Sequence, residues 1–158
     1  MSDSKNKNCK IALICLVLVF LFMSIAGGFN SNWGKVTITD VYYPNSEGGI
    51  IHAQLFVPDG VSSANPAPAI LNMHGGSDYL QMVTNYSIEL ARRGYVVLSV
   101  DAYGSGSSDY ASGVSSNAGG AGAGSANPSA LILDGGVTTG LQQLFNYDFV
   151  DQDKVGAI

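Results

Sequence analysis

Beyond residue 29 this 158-residue chain has no cysteine, four cations and two histidines, and each scarcity excludes a class of function. Cys9 and Cys15 both lie in the N-terminal segment, so the remainder has neither a disulfide framework nor a thiolate metal site. His52 and His74, with no cysteine or clustered carboxylate beside them, do not make a metal centre, and no cofactor is implied. Past residue 29, Lys35, Arg92, Arg93 and Lys154 stand against eleven carboxylates, a net charge of about −7 without a single-sign block, which argues against a nucleic-acid partner. A phosphate-cradling loop is also missing. Gly104-Ser105-Gly106 has Asp109 where the third glycine of G-x-G-x-x-G belongs, and no Gly-Lys-[Ser/Thr] follows any loop. The glycines of 119–124 match such motifs only through low complexity, and the sequon at Asn85-Tyr86-Ser87, inside a predicted helix, is a chance match.

What the chain does have begins with an uncharged apolar run from Ile11 through Ala26 to Phe29, preceded by Lys5, Lys7 and Lys10. About 18–20 apolar residues suffice to cross a bilayer. Ser24-Ile25-Ala26 before Gly27 equally resembles a small-residue cleavage site, so an N-terminal membrane anchor and a cleaved signal peptide both fit residues 1–29. Cys15 follows Leu13-Ile14 rather than the small residue a lipoprotein site wants, which argues against lipid attachment. Three lysines before the run and only Lys35 soon after it hold the N-terminus inside and place residues 30–158 on the extracytoplasmic side.

After a polar hinge over 30–34, Val36, Ile38 and Val41 alternate into Tyr42-Tyr43, and Ile50 to Val57 alternates again after Pro44-Asn45-Ser46-Glu47-Gly48-Gly49: an antiparallel hairpin. Pro58-Asp59-Gly60 ends it. Ala69 to Met73 is a short apolar run of the kind buried on both faces of a parallel sheet, and His74-Gly75-Gly76-Ser77 closes it. Asp78 with Gln81 predicts a capping box for a helix carrying Val83, Tyr86, Leu90 and Ala91, and Arg92-Arg93-Gly94 predicts its stop. Tyr95 to Val100 is the most strand-like stretch, ended by Asp101 and a glycine-serine loop reaching Asp109. Residues 112–130 are almost wholly Ser, Gly, Ala and Asn, too poor in apolar area to offset their ordering entropy, and are expected to form a flexible insertion. Val137, Leu141, Leu144 and Phe145 predict a further helix capped by Asp134. Asp151-Gln152-Asp153 predicts a turn into a last buried strand from Lys154 to Ile158.

This order of elements, with Met73-His74-Gly75-Gly76, Asp101-Ala102-Tyr103-Gly104-Ser105-Gly106-Ser107 and Asp153-Lys154-Val155-Gly156-Ala157-Ile158, resembles the N-terminal half of an α/β-hydrolase sheet. The nearest branches are dienelactone-hydrolase-like or serine-aminopeptidase-like. The resemblance implies an α/β fold with an antiparallel hairpin, then parallel strands with crossover helices, over a partial domain at residues 30–158. It implies that the G-x-S-x-G nucleophile elbow, the acid and the triad histidine would follow Ile158. The chain holds no G-x-S-x-G, and it is expected to be inactive as it stands. Backbone N–H groups of Gly76 or Ser77 would form half of an oxyanion hole, with His74, Gly75 and Asp101 supporting the loops. Tyr103 departs from the arginine the family often carries there. For His52 the expectation is a surface or hydrogen-bond-satisfied side chain. The function implied is an exported or membrane-anchored serine hydrolase of small ester or peptide substrates. The alternative is a non-catalytic, membrane-tethered domain that binds a ligand or partner.

Overall fold

The structure, a computed structural model, describes residues 2–46, 48–75, 79–109 and 136–158, with the side chains of residues 2–6 and 30 outside the description. A helix α1 (Ser2–Asn30) precedes a hairpin of β1 (Val36–Pro44) and β2 (Ile50–Pro58). Then follow β3 (Ala67–Met73), α2 (Leu80–Arg92), β4 (Val96–Val100), α3 (Thr138–Phe145) and β5 (Val150–Ala157). The insertion expected over 112–130 and the cap expected at Asp134 lie outside the described residues.

The five strands form one sheet in the order β1-β2-β4-β3-β5. β1 and β2 are antiparallel with Val36 opposite Pro58, β2 and β4 are antiparallel, and β3 lies parallel to both β4 and β5. Chain order thus reverses around β3: β4 is added on one side of it and β5 on the other.

Alternation along the strands divides the core. Val96, Leu98 and Val100 of β4 join Ile51, Leu71 and Leu144 on the α3 face, while Val97 joins Phe56, Ile88 and Ala91 on the α2 face. Fully burying such a side chain is worth roughly 1.5–3 kcal/mol. All five β4 residues are buried because the strand is central and covered on both faces.

Two local expectations need correction. α2 begins at Leu80 with Tyr79 as its N-cap and no side-chain cap, so the proposed start at Asp78, itself outside the described residues, is too early. The helix ends as expected: Gly94 at φ +91° donates to Ala91 O, while Arg93 N and Tyr95 N both donate to Leu90 O, so the last carbonyls of the helix are satisfied. β5 starts at Val150, before the expected turn, and the pairing jumps from Ala67↔Val150 to Ala69↔Val155. Pro68 has no N–H to offer the ladder, so residues 151–154 bulge there while the strand continues.

Candidate functional site

Three segments meet at the C-terminal end of the parallel strands: the end of β5, the residues after β3 and the loop after β4. Ile158 N donates to Leu71 O at 2.9 Å and Met73 N to Ile158 O at 3.0 Å, so the end of β5 runs directly beside Met73-His74. Open α/β sheets bind ligands where strand order reverses, and here that point lies between β3 and β5.

His74 ties the β3 loop to the β4 loop. Its Nε2 accepts from Ala102 N at 3.0 Å, and its Nδ1 donates to Gly75 O at 2.7 Å. With backbone on both nitrogens, the imidazole has no lone pair free to take a proton. Gly75 is exposed, and Gly76 and Ser77, the expected oxyanion donors, lie outside the described residues.

Asp101 is fully buried at the end of β4. One oxygen accepts Leu80 N at 2.8 Å, so the carboxylate sits at the N-terminus of α2, where the helix dipole favours negative charge. The other accepts Ser107 N at 3.0 Å and faces His52 Nδ1 at 2.8 Å. Further bonds extend the clamp: Asp101 N donates to His52 O, Asp109 N to Ile50 O, and the Ser108 hydroxyl to Asp101 O. Gly106 closes the loop at φ +54°, and a Cβ there would fall 2.2 Å from the Asp101 carboxylate. Tyr103 lies over Gly49, where a Cβ would meet its ring at 2.6 Å.

His52 is the residue whose part the sequence conceals. It is buried, and its Nε2 faces Asp40 Oδ1 at 3.2 Å while its Nδ1 faces Asp101. Each ring nitrogen thus faces a carboxylate oxygen. Asp40, more than half exposed, is held below the usual carboxylate range by the Gln54 amide and then by His52. Its burial follows from the topology: β2 pairs with β4 as well as β1, so Ile51, His52 and Ala53 are buried in succession and a histidine there needs polar partners. Among the described residues no group of three or more potential ligands could hold a metal ion.

The sheet order and this loop cluster define the α/β-hydrolase class. A hypothetical protein of Pseudomonas aeruginosa has a TM-score of 0.62 at 20% identity, over 78% of this chain and 35% of its own. The acetyl xylan esterase of a Paenibacillus species scores 0.63 at 20% identity, over 78% and 41%. That of a Thermoanaerobacterium species scores 0.54 at 22%, over 78% and 40%. The chain thus spans well under half the length of these structures. No curated protein matches it. The acetyl xylan esterase (AXE1) family model matches residues 28–152, and the chain belongs to that family.

Proposed function

We propose that the chain is the N-terminal portion of an exported or membrane-anchored serine hydrolase that cleaves esters, acetyl esters of a sugar polymer first among them. Residues 1–29 serve as anchor or signal and residues 30–158 as part of the hydrolase domain. The observation that carries this reading is the pairing of β5 with β3, which starts whatever follows Ile158 beside the His74-Gly75 loop. A nucleophile elbow after β5 would face that loop across the reversal point. The Gly76 amide, with Ser77 second, then donates to the carbonyl oxygen as it gains charge, while His74 and Asp101 hold the two loops. Family membership supports the ester, and the hydropathy of α1 supports export. Residues 1–158 alone should hydrolyse nothing, since they contain no G-x-S-x-G.

The test is an activated phosphonate probe and an acetyl-ester substrate, applied to residues 1–158 and to the product of the complete reading frame. The expected outcome is no labelling of the first, and in the second a labelled serine shortly after Ile158 together with acetate release. Labelling of a serine within residues 1–158, or a complete frame without a reactive serine, would overturn the proposal.

A further inference from the structure

The joint between α1 and the sheet is built rather than loose. Asn32 at φ +49° and Trp33 at φ +58° take the left-handed conformation, which asparagine tolerates but a bulky residue such as tryptophan holds only where surroundings enforce it. The enforcement is visible. Trp33 N donates to Gly28 O at 2.6 Å, Val36 N to Ser31 O at 3.1 Å and Ser31 Oγ to Gly27 O at 3.1 Å. The Trp33 ring lies so close over Gly28 that a Cβ there would meet it at 2.6 Å, and it sits 5.7 Å from the Phe29 ring. Across the joint, Arg92 Nη2, at the end of α2, donates to Phe29 O at 2.6 Å, which gives an end carbonyl of α1 a cationic partner.

Length fixes where this joint lies if α1 spans a bilayer. Lys7–Phe29 is the apolar segment, and the uncharged part after Lys10, at about 1.5 Å per residue, matches a hydrocarbon core of about 30 Å. Phe29 therefore falls at the boundary, and Trp33, with most of its surface exposed, sits just beyond it where amphipathic rings collect. Arg92, bonded to Phe29 O, shares Glu89 with Arg93 at the end of α2, and Lys35 is exposed two residues after Trp33 in the chain. The opposite end of α2, whose first amide is held by Asp101, belongs to the His74–Asp101 loop cluster, where a sheet of this strand order forms its crevice; thirteen helical residues put about 20 Å between the two ends.

We propose that the Phe29–Trp33 joint and the C-terminal end of α2 rest on the lipid headgroup layer, so that the His74–Asp101 crevice opens away from the bilayer toward water-borne esters and not toward membrane lipids. This rests on the anchor reading of residues 1–29. Trp33 is the sole tryptophan, so the full chain reconstituted in phosphatidylcholine vesicles reports directly. Acyl chains brominated near the headgroup should quench its emission more strongly than chains brominated near the bilayer centre, and aqueous iodide should quench it little. In Trp33→Phe with Tyr79→Trp, which moves the reporter to the exposed crevice end, iodide should quench and brominated lipid should not. Vesicle flotation separates the two readings. A chain that floats but whose Trp33 is open to iodide and untouched by bromine overturns the docked joint and leaves the anchor standing. Bromine quenching at position 79 overturns the orientation. A chain that does not float overturns the anchor and this inference with it.

Discussion

The Asp101 carboxylate shows at the scale of one residue how the crevice is organised. It is buried with charge-assisted bonds from two backbone amides and a histidine, so removing a partner leaves the others facing an under-compensated anion. Gly106 provides the sharpest test, because Gly60 serves as its control. Both have positive φ, but Gly60 has open space around its Cα, whereas a Cβ at Gly106 runs into the carboxylate. Gly60→Ala should cost only the left-handed penalty of about 1–2 kcal/mol. Gly106→Ala should cost clearly more, read as a larger drop in thermal midpoint of the full chain in detergent. Equal drops would mean that the loop relaxes away from Asp101. A pH dependence belongs to the same cluster. Asp40 is lowered in the folded state, first by Gln54 and then by His52, so its contribution is present above the unfolded value of 3.8 and disappears as pH falls through the folded value below it. Its side chain is 57% exposed, so solvent screening keeps the effect small. The difference in stability between the parent and Asp40→Asn should shrink as pH falls below the ordinary carboxylate range.

At the scale of elements, α3 tests how tightly a helix is set on the sheet. Glycine in a helix costs about 1 kcal/mol relative to alanine, so Gly140→Ala would ordinarily stabilise. Here the added methyl would lie 2.8 Å from Leu71 Cδ1 and 3.0 Å from the Tyr43 hydroxyl, both in the packed core. Overpacking costs typically 1–3 kcal/mol, enough to outweigh the propensity gain. Gly140→Ala should therefore lower the unfolding midpoint, and a rise would show that the α3 seat is looser than its distances. The hairpin, α2 with its Arg92-Arg93-Gly94 stop, and β4 are legible in the sequence because each depends on periodicity or on a local capping signal. Two features are not. The bulge opposite Pro68 depends on a partner strand about 85 residues away, and the pairing of His52 with Asp101 depends on β2 being interior. A strand that alternates like half of a solvated hairpin gives no local sign that a second neighbour will cover it.

For the whole molecule, the question is whether two loops held by backbone contacts can organise acyl transfer once a nucleophile stands beside them. Loss of one oxyanion donor typically lowers kcat by about 10²–10³. In the product of the complete reading frame, Gly76→Pro removes one N–H and should produce a loss of that order with KM little changed. Proline also restricts the backbone, so the loss alone does not separate a missing donor from a displaced loop. His74→Ala separates them. It breaks the tie from Ala102 N to the β3 loop while leaving every N–H of that loop in place. If His74 is a support, the serine should still react with the phosphonate probe, turnover should fall less than in Gly76→Pro, and the acidic limb of the pH–rate profile should remain where it was. If His74 is instead the base, labelling should vanish and that limb should disappear even though the protein remains folded. The second result would require Nε2 to leave Ala102 N before it could accept a proton, a rearrangement that the 3.0 Å bond opposes.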